Sequence, residues 1–205
     1  MTDGYRWETC ARIARLRLIA ILRARDARTA TEVGTAVADA GLDVIEVSLT
    51  QPGALDAVAA LARARPGALV GAGTVLDAAS ARLALLAGAR FLVTPSLVPE
   101  TIACGHRYGV PVVAGVATAS ELGEALALGA DLIKLFPSDQ FEPSIVSALH
   151  GPFPQAPLVP TGGITAATAP AWIAAGAVAL GVGGPLLADP ATAGERASEL
   201  LAAVR

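Results

Sequence analysis

The chain has 205 residues, 54% of them hydrophobic, and a formal net charge of −3. Its length predicts one large domain over 1–205, and its charge leaves no basic field for nucleic acid or an anionic membrane. Two cysteines, Cys10 and Cys104, make no disulfide framework, and Met1–Arg6 lacks the basic-then-apolar pattern of a signal peptide, so the expected location is the cytoplasm.

A short helix is predicted around Trp7 to Leu16, followed by a first apolar strand, Leu18-Ile19-Ala20-Ile21-Leu22. Five segments then repeat one pattern, a helix that ends at glycine with an apolar strand directly after it. The glycines are Gly41, Gly88, Gly109, Gly129 and Gly176, each read as the left-handed residue that closes a helix. Their spacings are 47, 21, 20 and 47 residues, and each long gap holds one more strand, Ala68–Gly71 and Pro157–Pro160. Alanine- and leucine-rich stretches such as Leu55–Arg63 and Ala78–Leu86 have helical periodicity. Eight strands with helices between them predict an α/β protein, a (β/α)₈ TIM barrel preceded by the short helix. An open doubly wound sheet is disfavoured, because no Gly-x-Gly-x-x-Gly follows the first strand. Residues 151–188 carry no charge, but six prolines break that stretch, so it reads as buried barrel rather than a membrane span.

In such a barrel, chemistry sits at the C-terminal strand ends. Lys134 is the only lysine, the other fourteen basic residues being arginines, and it lies inside the apolar run Asp131–Pro137. A desolvated lysine readily gives up its proton and becomes a nucleophile toward carbonyl carbon. Strand alternation aims Lys134 into the barrel with Leu132 and Phe136, and aims Glu46 inward with Val44 and Ser48. An amine and a carboxyl thus enter one apolar cavity, as a catalytic pair or as a purely structural ion pair. Arg23 ends the first strand with a guanidinium suited to a carboxylate. The Gly73-Thr74 turn of Gly71–Val75 brings backbone N–H groups to a ligand oxygen, and Gly162-Gly163 and Gly183-Gly184 form paired loops of the kind that bind phosphate.

Gly41–Ser48, Gly71–Val75, Val93–Ser96, Lys134–Ser138 and Pro160–Ile164 together resemble the family of 2-keto-3-deoxy-6-phosphogluconate (KDPG) and 4-hydroxy-2-oxoglutarate (KHG) aldolases, over about Arg17 to Leu187. The resemblance implies a cofactor-free, metal-free lyase for a small-molecule keto-acid, with Lys134 as imine-forming residue and Glu46 as general acid/base. It further implies that Arg23, Gly73 and Thr74 hold the pyruvate carboxylate. Thr161 then touches the C4 hydroxyl, and Phe136 and Pro95 pack the cavity wall. Homotrimers are expected on the same ground.

Three positions depart from the family pattern. Thr50 stands where many members carry an arginine, Gly184 replaces a serine and is followed by Pro185 with no N–H, and Glu142 replaces a glycine. The rival readings are an aldolase for KHG or an unphosphorylated keto-acid, an isomerase or epimerase of phosphorylated sugars, and a non-catalytic anion-binding barrel. His106 and His150 read as surface or helix-end residues and Cys104 as helix packing.

Overall fold

The computed structural model describes residues 5–205. Most of the Met1–Arg6 segment, read as carrying no signal peptide, therefore lies outside the described residues. Helix α1 (Arg6–Leu16) precedes strand β1 (Leu18–Leu22), as predicted. Then follow α2 (Ala27–Asp39), β2 (Val44–Ser48), α3 (Ala54–Ala64), β3 (Leu69–Gly73), α4 (Ala78–Leu86), β4 (Leu92–Val93), α5 (Pro99–Arg107), β5 (Val112–Val116), α6 (Ala119–Ala127) and β6 (Leu132–Leu135). The chain ends with α7 (Ser144–His150), β7 (Leu158–Pro160), α8 (Ala169–Ala174), β8 (Leu180–Val182), α9 (Gly184–Leu187) and α10 (Ala193–Ala203).

All eight strands are parallel in one sheet ordered β7-β6-β5-β4-β3-β2-β1-β8. A parallel bridge between Thr161 and Gly181 joins β7 to β8 and closes the barrel. The five repeat glycines all take positive φ, from 70° at Gly109 to 108° at Gly176, so each lets its helix stop and the next strand begin. At the other end of the turns, Asp26 and Asp77 accept from the Thr29 and Ser80 N–H groups, and Thr118 with Glu121 forms a capping box on α6. Strand β4 is shorter than its neighbours because Pro95 has no N–H to extend the ladder.

Alternation divides the strand residues as expected. Leu18, Ala20, Leu22, Ile45, Val47, Ile133 and Leu135 pack outward under the helices, whereas Ile19, Ile21, Val44, Leu69, Phe91, Val93, Val113, Leu132 and Val159 fill the interior. Ile13, fully buried on α1, joins the interior set and plugs the bottom of the barrel. On β3 the inward positions after Leu69 are Gly71 and Gly73, by the same alternation. Their missing side chains leave room for Phe91 and Glu46, respectively. No helix among the described residues is long and apolar enough to cross a membrane.

A Cβ at Gly71 would stand 2.5 Å from Phe91 Cδ1 and Cε1. Gly71→Ala is therefore expected to lower unfolding stability by about 1–3 kcal/mol through overpacking, measured by urea denaturation. An unchanged midpoint would show that the Phe91 ring can move away without cost.

Candidate active site

Lys134 lies on β6 with 4% of its surface exposed, and Glu46 on β2 with 2%. Among the described residues no ion pair joins them, so the purely structural pairing is not formed. Lys134 Nζ instead lies 5.0 Å from the centroid of the Phe136 ring, within cation–π range. Glu46 rests against the bare Cα of Gly73. Burial pushes its carboxyl above the ordinary value, and the positive charges of Lys134 and then Arg23 only partly offset this. Buried Glu46 on β2 thus feels the charges of Lys134 on β6 and of exposed Arg23 just after β1, with no ion pair to either among the described residues.

A cavity of about 360 Å³ opens beside Lys134. Its lining includes Arg23, Phe136, Thr161 and the four loop glycines Gly162, Gly163, Gly183 and Gly184. Gly162 and Gly163 take φ of 108° and 68°, which turns the loop back above the strand ends. Gly183 immediately precedes α9, and Pro185 shares the lining with it. The structure thus brings Lys134, Arg23, Phe136, Thr161 and the glycine loops together. Glu46, Gly73, Thr74 and Pro95 are absent from that lining, Glu46 lying buried on β2 and the others at the ends of β3 and β4. Pro95 is nonetheless close, because its backbone packs on the Cα of Gly115, the register partner of Lys134.

Thr74 takes φ 57°, a left-handed conformation that costs a β-branched residue on the order of 1–3 kcal/mol. Ser48 is also buried at this edge, where its hydroxyl meets those of Thr74 and Thr50. Ser138 is a buried residue whose role sequence reasoning missed. Its hydroxyl donates to Leu135 O and accepts from Thr161 N–H, and its own N–H donates to Thr161 O. Three bonds therefore fix where Thr161 enters the cavity. The only signal in the sequence was a small polar residue directly after Phe136-Pro137.

Glu142 is exposed and lines a different groove, behind Gly162-Gly163, with Asp139 and Trp172. It does not line the Lys134 cavity. His106 and His150 both lie in the last turns of their helices, on Asp131 and Ala156 O. Neither is a simple surface residue, since each is half-buried and bonded. Cys104 is buried between helices, and burial pushes the Cys10 thiol up to about 12. No group of three or more metal-ligating side chains occurs among the described residues.

A family model for KDPG and KHG aldolases matches residues 10–198. The chain belongs to this family. A 2-dehydro-3-deoxy-6-phosphogalactonate aldolase of Escherichia coli is 37% identical over 182 residues, 88% of this chain and 86% of that one. The Zymomonas mobilis KDPG aldolase with 3-phosphoglycerate superposes with a TM-score of 0.85 at 31% identity, covering 94% of this chain and 95% of that chain. A Legionella pneumophila KDPG aldolase, with pyruvate captured as a covalent carbinolamine, gives 0.82 at 29% identity over 96% of each chain. The barrel is thus that of an aldolase, a carbon–carbon lyase.

The sign of the Glu46 shift has a measurable consequence. A carboxyl whose folded-state pKa is raised binds protons more tightly folded than unfolded, so its ionisation weakens the fold as pH climbs above the ordinary value of 4.5. Glu46→Gln is therefore expected to raise Tm at pH 7 while removing activity, with the gain shrinking as pH falls toward and below 4.5. A Tm gain independent of pH would assign it to packing instead.

Proposed function

We propose that Lys134 is the imine-forming residue of a KDPG-type aldolase and that Glu46 moves its protons. The reading is carried by one observation: the chain's only lysine is buried at the cavity with no ion pair among the described residues, and its charge acts on a buried carboxyl. The Nζ lone pair attacks the C2 carbonyl carbon of the keto-acid, and the carbinolamine takes a proton from Glu46 and loses water to give a protonated imine, leaving Glu46 as a carboxylate. Glu46 takes the C4-hydroxyl proton through water, the C3–C4 bond breaks, and its electron pair flows into the imine to leave an enamine. The aldehyde departs. Glu46 returns the proton to C3, and water releases pyruvate and restores the amine. A carboxyl with a raised pKa is suited to both halves of this cycle.

Arg23 and the Gly73-Thr74 turn hold the pyruvate carboxylate, Pro95 and Phe136 wall the reacting carbons, and Thr161 meets the C4 hydroxyl. Gly162, Gly163, Gly183 and Gly184 take the phosphate end. The substrate of this reading is 2-keto-3-deoxy-6-phosphogluconate or a close 2-keto-3-deoxy sugar acid, giving pyruvate and glyceraldehyde 3-phosphate. The 3-phosphoglycerate in the Zymomonas structure supports a phosphorylated tail. Pro185 favours the second reading, an unphosphorylated keto-acid, because it offers no N–H where α9 begins. A homotrimer working in the cytoplasm completes the proposal, with the exposed Leu76, Leu83 and Leu86 as apolar surface for assembly.

Borohydride reduction in the presence of pyruvate is expected to leave a stable adduct on the peptide that holds Lys134, read by mass spectrometry. Lys134→Arg keeps the charge and is expected to abolish both adduct and cleavage. Cleavage that survives in that variant would end the imine mechanism.

A further inference from the structure

Thr74 is held in its left-handed conformation at both sides: Gly73 O accepts from Leu49 N–H at 2.8 Å, and Val75 N–H donates to Val93 O at 3.1 Å. Its side chain is held as well. Thr74 Oγ1 lies 2.9 Å from Ser48 Oγ, which in turn lies 3.1 Å from Thr50 Oγ1. The middle hydroxyl of this line is 1% exposed, while Thr74 is half-buried and Thr50 exposed.

Each hydroxyl carries one proton. Two hydrogen bonds among three hydroxyls use two protons and leave one free at an end. If the bonds run Thr50 to Ser48 to Thr74, the free proton is on Thr74, beside Gly73 and Glu46 at the mouth. If they run the other way, it is on Thr50 and faces water. An anionic oxygen accepts and cannot donate, so its arrival at Thr74 selects the first direction, and aligned hydrogen bonds polarise one another. We propose that Ser48 is a positioning residue that aims the Thr74 hydroxyl at the keto-acid carboxylate and hands on the polarity of Thr50. The selectivity it supplies is for a carboxylate over a neutral group at C1. The inference rests on the reading that Thr74 meets the carboxylate.

The test measures the concentration of pyruvate, and of pyruvamide as its uncharged analogue, that half-saturates borohydride inactivation of the full chain. Ser48→Ala is expected to raise the pyruvate value roughly three- to tenfold, the effect of one hydrogen bond, with the pyruvamide value and the maximal inactivation rate little changed. Ser48→Thr keeps a hydroxyl and is expected to keep the preference for pyruvate. Thr50→Val, at an exposed position, is expected to shift pyruvate in the same direction by less. Equal weakening of pyruvate and pyruvamide in Ser48→Ala would reduce Ser48 to a general structural role and overturn the proposal. Should Ser48→Ala fail to fold, an unaltered preference in Thr50→Val overturns it too. Thr74→Val separates the two layers: a lost preference there with none lost in Ser48→Ala defeats only the role of Ser48. No change in Thr74→Val defeats the carboxylate reading itself.

Discussion

Space inside the barrel is the constraint to which the rest of the structure answers. Eight strands enclose room for only a few side chains per layer, and every inward position competes for it. The lower layers are filled by Ile13, Leu69, Phe91 and Val113, packed without polar atoms. Strand β3 yields its next two inward positions to glycine, and the volume goes to Phe91 and then to Glu46. A bulky residue at either position would force out the filler of the floor or the carboxyl above it. Core packing and the placement of the buried carboxyl are in this way set by the same strand.

Above that floor the polar groups are placed close but not in contact. A direct Lys134–Glu46 pair would satisfy both charges, and breaking it for each turnover would be costly in a buried site. The structure avoids this by seating the carboxyl on Gly73 and the amine over the Phe136 ring. Each group is thereby desolvated and left open to a third partner. The hydroxyls of Ser48 and Ser138 are treated in the opposite way, with their bonds met inside the protein. Groups that hold the site are satisfied, and groups that would act in it are not.

The barrel and its polar interior were legible in the sequence because both follow from short-range rules. Period-two alternation assigned Glu46 and Lys134 to the barrel interior, where both are buried although only Lys134 lines the cavity, and five glycines at helix ends marked the units. The isolation of Lys134 as the sole lysine needed no structure at all. What stayed hidden depends on contacts between distant strands. Ser138 acts on a residue 23 positions away, and Ser48 on one 26 positions away, and neither distance leaves a trace in local pattern. Ile13 lies within the short helix predicted around Trp7 to Leu16, but only closure of the barrel creates the hole it plugs. Glu142 was legible as an odd carboxylate but not as one lining a separate groove, because that groove is formed with residues distant in sequence such as Gly163 and Trp172.

Arg23 connects the two roles of the mouth. It lines the cavity and the adjoining groove formed with Arg25 and Arg28, and its charge is one of the two that hold the Glu46 carboxyl down against burial. A keto-acid carboxylate that docks on Arg23 would cancel most of that charge at Glu46. The proton affinity of Glu46 would then rise at the moment the substrate is seated, when a proton acceptor for the C4 hydroxyl is next required. Departure of pyruvate would uncover the guanidinium charge and lower the proton affinity of Glu46 again. On this view the guanidinium couples substrate binding to proton transfer without touching the carboxyl, through the reach of its charge toward a carboxyl that is itself buried.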